Sequence, residues 1–557
     1  MSVFIGYPSF MAYQMMKGKK DNNEGFPTIP GTIARYSALG LTNEEMSKNP
    51  VWVDKTGNDH DLQMKNFACG GMSGVGGYVQ NFNYFKNNAT VDKVRIDEQS
   101  SNSVKVTILA TVINNAIYIP KGIYQFNKSY FIKISSEGYN EGDLSLSFYA
   151  PSTSTATTVK VPLNPNGITE IPAIKEDDFL AVYVNVGGKV GSITIEQLPL
   201  YSGAFVFDGV DDYGTCNNFP ILTKEKGYTV VALRQWDQDF LNTTLTGGLL
   251  STRNYSTGEG VAFEKIESPN KGYWNLGAGG IIDFAKSPFT WQTSKQYNNV
   301  GILKGDKNHG KPLCVGSGLS GGQQCGRFAI WELVFLDHDA TEEELTKIKD
   351  YFVKTYPWLF PDQAWTVVGK TNEDEDRATI ANITGNGNDL VCLNLGFIEG
   401  SGYNEEGEYA GYLVTDGVDD KITSSTFEMG NDWTVIGDWE LINTGKNYNA
   451  GIVKFDSIVI YNYNPILINI KNGRNNLIPN QNTVNAICSD GRIYSKDWKE
   501  FIYNEETEST SKNLLTIGYS GNSYTKIAFK NLAIYPTILS KEDCIKAYNY
   551  LQTLKAK

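Results

Sequence analysis

Aspartates that flank a glycine are the residues of this chain whose types and spacing best suit a chemical role. The sequence D-G-V-D-D occurs twice, at residues 208–212 and 416–420. Three acidic side chains so close together make each copy a candidate site. The competing interpretation is a hairpin turn, in which glycine takes a positive φ and the carboxylates accept backbone N–H groups. We favour the turn, because an alternating apolar strand leads into each copy.

Other residues that could take part in catalysis lack the partners that they would need. The three histidines are His60, His309 and His338. Ser73 lies in the sequence G-M-S-G-V-G, without the preceding buried strand that supports a nucleophilic serine. The acidic run at 373–376 follows a T-N pair, where carboxylates stabilise the start of a helix. The sequence therefore predicts no catalytic residues and no enzyme activity.

The glycine-rich segments do not have the features of phosphate-binding loops. Residues 70–77 and 316–322 are rich in glycine, but neither is followed by a helix start that contains lysine. Cysteine and histidine do not occur together at metal-ligand spacing. We therefore expect no cofactor and no metal among the functional groups of this chain.

The surroundings of the two D-G-V-D-D copies indicate an internal repeat. Residues 42–67 and 371–397 both contain T-N-E, then T-G-N, then D-L. Each copy also closes with an apolar strand and a helix. The predicted helix caps are Thr341 with Glu344 in the first copy and Ser540 with Asp543 in the second.

A difference in spacing places an insertion in the first copy. Thr56 and Asp208 are 152 positions apart, whereas their counterparts Thr384 and Asp416 are 32 positions apart. About 120 additional residues therefore lie between roughly residues 80 and 200, which is enough for one more small domain. Their alternating apolar pattern predicts a second, smaller β-sandwich.

Composition and pattern together predict an all-β fold. The chain contains 55 glycines, and short alternating segments are separated by turn-forming residues. We expect two tandem sandwiches, the first of which is interrupted by the inserted one. The predicted organisation is an arm at 1–35, a first sandwich at 36–80 and 200–360, an inserted sandwich at 81–199, and a second sandwich at 361–557.

Net charge and cysteine usage exclude several classes of partner. The chain carries 49 basic and 62 acidic residues, whereas a nucleic-acid-binding protein needs a concentrated basic surface. Seven scattered cysteines without C-x-x-C pairs are typical of free thiols in a protein that folds in a reducing compartment. No segment reaches the ~18 apolar residues of a membrane span. We expect neither nucleic acid nor a membrane as a partner.

The N-terminus is an apolar, methionine-rich arm. Its lysines follow the apolar run instead of preceding it, so the segment does not fit a secretory signal. We predict that the arm anchors the protein to a neighbouring subunit; the alternative is a segment that packs back on its own sandwich. The predicted anchoring residues are Phe4, Tyr7, Phe10, Met11, Tyr13 and Met15.

Two aromatic residues are candidates for sugar binding. Tyr255 lies in R-N-Y-S-T-G and Trp274 in K-G-Y-W-N, and a ring with asparagine and glycine nearby can serve as a stacking platform. The alternative for each residue is a place in a sandwich core.

The repeat resembles the concanavalin A-like (laminin G-like) lectin superfamily. The resemblance rests on F-D-G-V-D-D at 207–212, the strand at 328–335 and the capped helix start at 341–345, with counterparts in the second copy. It implies jelly-roll sandwiches, and it implies that Ca²⁺ held by Asp208, Asp211 and Asp212 is an alternative to the simple turn. Glycosidases of this superfamily place two carboxylates in an E-x-D-x-x-E spacing, which this chain does not contain.

The T-N-E, T-G-N and D-L pattern is also similar to repeats in structural and fibre-like virion proteins of tailed bacteriophages. This resemblance implies a non-enzymatic virion subunit, a fibre or decoration protein that forms a homotrimer, is assembled in the bacterial cytoplasm, binds other virion proteins through its arm and contacts host surface polysaccharide. One alternative is a secreted or surface bacterial glycan-binding protein. A capsule depolymerase is a further alternative, and it would need a carboxylate pair that converges in a groove.

Overall fold

The structure of the protein is a computed structural model dominated by β-sheets. It describes residues 25–150, 158–176, 179–220, 227–252, 262–265, 271–274, 281–283, 312–319, 322–442, 450–455, 458–462, 466–470, 474–478, 484–502, 513–520 and 523–556. Six sheets of five or more strands contain all but two of the strands in these ranges. The predicted all-β sandwich fold is confirmed, while the jelly-roll connectivity stays a prediction.

Two sheets form the first sandwich, and a core that contains Trp52, Phe207 and Val315 lies between them. In the first sheet, the long strand Arg327–Leu336 pairs with three others. The strands of this sheet are Thr32–Ser37, Gly74–Val75, Phe205–Asp208, Thr229–Trp236 and Arg327–Leu336. The strands of the second sheet are Val51–Trp52, Leu62–Lys65, Tyr213–Cys216, Gly247–Ser251, Ala262–Lys265, Lys271–Trp274, Ile281–Asp283, Leu313–Val315, Ser317–Leu319 and Gln323–Cys325.

The inserted sandwich consists of two five-stranded sheets. Its alternating strands bury one face, as in Ser103–Ile108, where Val104, Val106 and Ile108 are buried. The strands of one sheet are Lys86–Asn87, Asn115–Pro120, Ser145–Tyr149, Val159–Pro162 and Ala181–Asn185. The strands of the other are Val94–Gln99, Ser103–Ile108, Tyr130–Glu137, Ile168–Ile171 and Gly191–Gln197.

The second sandwich repeats the plan of the first, with two eight-stranded sheets. The strands of one sheet are Gln363–Thr366, Gly402–Tyr403, Leu413–Val414, Thr434–Leu441, Val484–Cys488, Arg492–Ser495, Glu500–Ile502 and Ile527–Tyr535. The strands of the other are Thr379–Ile380, Leu390–Leu393, Lys421–Phe427, Ala450–Phe455, Ile458–Asn462, Ile466–Ile470, Arg474–Ile478 and Asn513–Ile517. A separate small hairpin joins Tyr519–Ser520 to Ser523–Tyr524.

Four α-helices lie in the described ranges. They are α1 (Asn43–Lys48), α2 (Gln238–Leu241), α3 (Glu342–Thr355) and α4 (Lys541–Leu551), and two 3₁₀ turns span Phe82–Tyr84 and Pro357–Leu359. Both predicted caps are confirmed, because the side chains of Thr341 and Ser540 accept the backbone N–H groups of Glu344 and Asp543. Among the described residues, no helix combines the length and apolar character that crossing a membrane requires.

The predicted helix start at the second T-N-E is wrong. In the first copy this sequence begins α1, which buries Met46. In the second copy Glu375 occupies the equivalent position, and residues 372–378 form turns. A helix at this position would have no apolar residue to bury against the sandwich. A helix of this length is not stable without such packing.

The inserted sandwich leaves and rejoins the first sandwich at adjacent points. The backbone N–H of Gly76 donates to the carbonyl of Ala204 over 2.9 Å, and the N–H of Tyr201 donates to the carbonyl of Gly76 over 2.8 Å. In the second copy residues 404–412 close the same connection as a short loop, in which Asn404 N–H donates to the carbonyl of Tyr412. The insertion therefore replaces a loop tip, where added domains disturb the host fold least.

An apolar cluster, which we call the junction core, joins all three sandwiches. It fills the space between the outer faces of the Arg327–Leu336 and Ile527–Tyr535 sheets and encloses α3, α4 and the Pro357–Leu359 turn. Its buried aromatic residues are Phe26, Phe131, Tyr201, Trp331, Tyr351, Phe352, Tyr356, Trp358, Phe360, Tyr494, Trp498, Tyr535, Tyr548 and Tyr550.

Because of the junction core, the central strands are buried on both faces. Ile330 points into the first sandwich, whereas the adjacent Trp331 points into the junction core. Every residue of Thr229–Trp236 is buried for the same reason. In the second strand of this kind, Leu532 points into the core of the second sandwich and Ala533 points into the junction core.

The inserted sandwich contributes Phe131 to the junction core. The Phe131 ring meets the ring of Tyr548 on α4 edge to face, with a centroid distance of 5.3 Å. Trp498 of the second sandwich packs against the same Tyr548 at 5.6 Å. Tyr548 is therefore a contact point between the inserted and second sandwiches.

We expect Phe131→Ala to loosen the docking of the inserted sandwich without unfolding it. The substitution removes an aromatic ring from the junction core, a change that typically costs about 3–5 kcal/mol when the ring is fully packed. Hydrogen exchange should accelerate at the connecting residues 76–80 and 198–204. Phe148→Ala, in the inserted sandwich's own core, should instead accelerate exchange within that sandwich. Identical exchange patterns for the two variants would contradict this prediction.

A buried ion pair distinguishes the first sandwich from the second. Arg35 Nη2 lies 3.0 Å from Glu332 Oε1, and the hydroxyls of Tyr351 and Tyr356 complete the network. Burial alone would lower the pKa of Arg35, but Glu332 raises it. The arginine also lies over the ring of Phe26, 4.3 Å from its centroid.

The second copy has uncharged residues at the two positions of this pair. Strand registers pair Tyr36 with Leu333 and Trp365 with Leu532, so that Ala364 corresponds to Arg35 and Asn531 to Glu332. Both backbones make the matching hydrogen bond, from Arg35 N–H to Asp54 and from Ala364 N–H to Asn382.

We expect the single variant Arg35→Ala to lower the free energy of unfolding of the first sandwich by about 3–5 kcal/mol, because it leaves Glu332 as an unpaired buried charge. The double variant Arg35→Ala/Glu332→Asn, which copies the second sandwich, should recover part of that loss. Chemical denaturation of both variants, together with Glu332→Asn, measures the coupling. If the double variant lost the sum of the stabilities lost by the two single variants, the expected coupling between Arg35 and Glu332 would be contradicted.

Candidate functional site

The two D-G-V-D-D segments form hairpin turns with the same hydrogen bonds. In the first, Asp208 Oδ1 accepts the N–H of Val210 over 2.7 Å, and Asp212 Oδ2 accepts the N–H of Asp208 over 3.0 Å. In the second, the bonds from Val418 to Asp416 and from Asp416 to Asp420 measure 2.7 and 2.8 Å. Two carboxylates of each triplet thus stabilise the backbone of the turn.

The glycine of each turn is required by geometry. Gly209 and Gly417 both have a φ of 78°, in the left-handed region that favours glycine. A Cβ atom at Gly417 would also lie 2.9 Å from the backbone nitrogen of Lys526. The absence of a side chain at this glycine therefore allows the turn to pack closely against the neighbouring chain segment.

A serine from a preceding loop fixes the last aspartate of each turn. Ser73 Oγ donates to Asp212 over 2.9 Å and accepts the N–H of Ala68 over 2.8 Å. Ser401 makes the equivalent bond to Asp420 over 2.7 Å. Ser73 thus connects the loop at 68–73 to the turn through its hydroxyl.

Burial changes the acidity of these aspartates. It raises the pKa of Asp212 to about 8, with a further contribution from the neighbouring Asp208. Burial likewise raises the pKa of Asp420, although the hydrogen bond from Ser401 opposes the change. With a pKa of about 8, Asp212 is protonated near neutral pH when no cation is bound.

Each triplet could geometrically hold a cation. In each turn the three aspartates place one carboxylate oxygen apiece within 4.8 Å of one another. Carboxylate oxygens suit Ca²⁺, but the hydrogen bonds within each turn already use carboxylate oxygens of two of its three aspartates without a metal. The turn interpretation explains the geometry, and Ca²⁺ binding stays a prediction.

The raised pKa of Asp212 predicts a pH-dependent stability. Because folded Asp212, with a pKa of about 8, keeps its proton up to about pH 8, whereas an unfolded aspartate has its ordinary pKa of 3.8, stability should fall as the pH rises between these values. One proton contributes at most about 1.4 kcal/mol per pH unit. We expect Asp212→Asn to flatten the dependence between pH 5 and 7.5 in urea denaturation, and the exposed Asp211→Asn to preserve it. Parallel curves for wild type and Asp212→Asn would contradict this assignment.

All seven cysteines are buried and free, as predicted. Burial raises the pKa of Cys314 to about 12 and that of Cys216 to about 11. Thiols with such pKa values are protonated and unreactive near neutral pH.

A cleft of about 770 Å³, which we call the junction cleft, lies between the inserted and second sandwiches, beside the residues that connect the inserted sandwich to the first. One wall comes from the inserted sandwich, through strands Tyr130–Glu137 and Ile168–Ile171 and the loop at 164–167. The opposite wall is the turn at 497–500 of the second sandwich. The exposed face of α4 and the connecting residues 198–202 complete the lining.

The turn at 497–500 has an unusual backbone. Trp498 has a φ of 59°, which is costly for a bulky residue. Its ring is held by Tyr494 and Tyr548, whose centroids lie 6.2 and 5.6 Å away. Packing in the junction core therefore fixes the turn in a conformation that the local sequence disfavours.

Hydrogen bonds further order this turn. Ser495 Oγ donates to Asp497, and the N–H of Lys499 donates to Ser495 Oγ over 3.1 Å. Burial alone would raise the pKa of Asp497, but the hydrogen bonds from Ser495 and Lys499 lower it. The carboxylate is consequently charged and fixed beside the cleft.

Several predicted site residues lie outside the described ranges. These are Tyr255 and the anchoring residues Phe4, Tyr7, Phe10, Met11, Tyr13 and Met15. The backbone of Trp274 belongs to the strand Lys271–Trp274, where it pairs with Phe263. Its role as a stacking platform stays a prediction.

The described end of the predicted arm lies against the first sandwich. Phe26 and Ile29 are buried in the junction core, and the strand Thr32–Ser37 pairs with Arg327–Leu336. The anchoring prediction therefore concerns the residues before position 25.

The two described histidines, His60 and His338, form hydrogen bonds or ion pairs with neighbouring residues of the first sandwich. The carbonyl of His60 accepts the hydroxyl of Tyr36 over 2.5 Å, as that of Asn388 accepts the indole of Trp365. His338 lies between Asp337 and Glu344, at 3.2 Å from each. Partial burial would lower the pKa of His338, but these carboxylates raise it.

No protein-family model matches this chain, and no curated protein matches it. Among solved structures, Trypanosoma rangeli sialidase is similar over 86% of this chain and 98% of its own, with 8% identity and a TM-score of 0.26. The binding domain of botulinum neurotoxin serotype D is similar over 62% of this chain and 89% of its own, with 11% identity and a TM-score of 0.22. TM-scores this low carry no argument about fold or activity.

Proposed function

We propose that this chain is a non-enzymatic structural subunit of a tailed-bacteriophage virion, a fibre or decoration protein. In this proposal the N-terminal arm binds another virion protein, the subunit forms a homotrimer, and an exposed face contacts polysaccharide on the host surface. The proposal draws on the resemblance of the repeats to virion proteins. A bacterial glycan-binding protein at the cell surface is the alternative.

The junction core is the observation that best supports a structural role. It closes three sandwiches on one another through buried aromatic contacts, such as those of Phe131 and Trp498 with Tyr548. A particle subunit has to keep its shape under load, and a continuous apolar cluster between domains resists relative motion better than a polar interface does. The proposal therefore fits the most extensive feature that links the sandwiches.

The use of the acidic residues supports a role without catalysis. The carboxylates of Asp208 and Asp212 accept backbone and serine hydrogen bonds within a turn, and the equivalent residues of the second copy do the same. The recurrence of these acceptor roles in both copies fits a shared structural role better than a single active site.

Incorporation into particles tests the proposal. In a phage that encodes this chain, we expect removal of residues 1–24 to leave a folded protein that no longer co-sediments with particles. Substitution of the apolar residues Phe4, Tyr7 and Phe10 by serine should have the same effect, because the proposed contact is apolar. Mass spectrometry of purified particles measures the incorporation.

A matched control uses the lysines of the same arm. The triple variant Lys17→Gln, Lys19→Gln and Lys20→Gln keeps the apolar residues and should still be incorporated. Absence of the wild-type chain from purified particles would overturn the virion proposal. Equal incorporation of the truncated chain would overturn the role of the arm.

A further inference from the structure

The junction cleft has the size and position of a ligand site. Its volume of about 770 Å³ falls within the usual range of small-molecule sites, and such sites occur preferentially between domains. Residues from the inserted sandwich, the second sandwich and α4 all border it. A ligand there would contact parts of the chain that are far apart in sequence.

We propose that the junction cleft binds an uncharged oligosaccharide. The inference rests on the proposed contact with surface polysaccharide and gives that contact a location and a ligand class. It assigns the binding to the cleft between the sandwiches rather than to the sheets or turns of a single lectin-like repeat.

The balance of charge in the cleft favours an uncharged ligand. Four lysines and four acidic residues line it, so that no net charge would attract an ion of either sign. Lys133 and Glu196 are partners across neighbouring strands of the inserted sandwich. On the opposite side Lys499 is paired with Asp497 at 3.0 Å.

The cleft offers both hydrogen-bond donors and acceptors. Within the described part of the chain, Lys133, Lys541, Glu196 and Glu500 form no ion pairs with one another or with other residues, which leaves two ammonium groups and two carboxylates for a ligand. A sugar hydroxyl donates one hydrogen bond and accepts others, so a site for several hydroxyls needs both kinds of partner. Simple anions or cations would use only one kind.

Apolar side chains provide a surface for the ring faces of a sugar. Ile168, Leu198, Pro199 and Ile545 are partly exposed and lie among the polar residues of the cleft. Sugar rings present C–H groups on their faces and hydroxyls at their edges, which matches a mixed apolar and polar lining. The Trp498 ring is buried in the junction core and holds the wall in place rather than stacking on the ligand.

The cleft is built from parts that are already fixed. The junction core positions the inserted sandwich, and the packing of Trp498 holds the turn at 497–500 in its left-handed conformation. Binding therefore requires little ordering of the protein, which favours a weak ligand such as an oligosaccharide.

Binding of defined tetrasaccharides to the full-length protein tests the inference. The neutral probes are maltotetraose, cellotetraose, chitotetraose and mannotetraose, and tetragalacturonate is the charged probe. We expect at least one neutral probe to bind in isothermal titration calorimetry and to bind more tightly than tetragalacturonate. Ser135→Trp, which places an indole in the cleft from an exposed strand position, should weaken that binding by about tenfold or more.

The matched control is Glu137→Trp, on the same strand and the same face but beyond the cleft. It should bind as the wild type does, with an unchanged melting temperature in both variants. Failure of every neutral probe to bind, preference for tetragalacturonate, or equal binding by Ser135→Trp would overturn the inference. Particle incorporation is measured separately from sugar binding. A chain that is incorporated into particles but binds no sugar would overturn only the cleft site. A chain that binds sugar but is not incorporated would overturn only the virion role.

Discussion

The burial of two β-sheets on both faces is the constraint on which the rest of this structure depends. A sandwich normally keeps one face of each sheet in solvent, but here the outer faces of the Arg327–Leu336 and Ile527–Tyr535 sheets are covered by the junction core. Each of these sheets therefore needs the other sandwich to exclude water. The two copies of the repeat are consequently parts of one packed unit, and α3 and α4 fill the space between them.

The junction core also explains why the inserted sandwich has a defined position. A module attached through two neighbouring chain crossings would otherwise be free to pivot. Phe131 joins it to α4, and the turn around Trp498 borders it from the second sandwich. The junction cleft is the space left between surfaces that these contacts hold apart.

The sequence supported a large part of this architecture. The all-β class, the helix caps at Thr341 and Ser540 and the turn chemistry of D-G-V-D-D follow from local patterns, because short-range hydrogen bonds decide them. The spacing of the two copies also indicated where extra residues lie, and the chain leaves the first sandwich close to that position, at Gly76.

The junction core and cleft could not be predicted in the same way, since they depend on how distant segments meet. One signal was nevertheless present. The strands TVVALRQW and FAIWELVFL do not alternate between apolar and polar residues, and such runs indicate strands buried on both faces. The cleft residues, by contrast, are ordinary surface lysines, acids and asparagines, and only their arrangement in three dimensions sets them apart.

The pairing of Thr32–Ser37 with Arg327–Leu336 has a consequence for synthesis on the ribosome. Tyr36 finds its partner Leu333 only after almost three hundred further residues have been translated. The strands of the inserted sandwich all lie between Lys86 and Gln197, so this module can complete its own hydrogen bonds while the first sandwich is still open. The inserted sandwich can thus fold before the first sandwich is complete. The strand Thr32–Ser37 stays unpaired until Arg327–Leu336 has been synthesised.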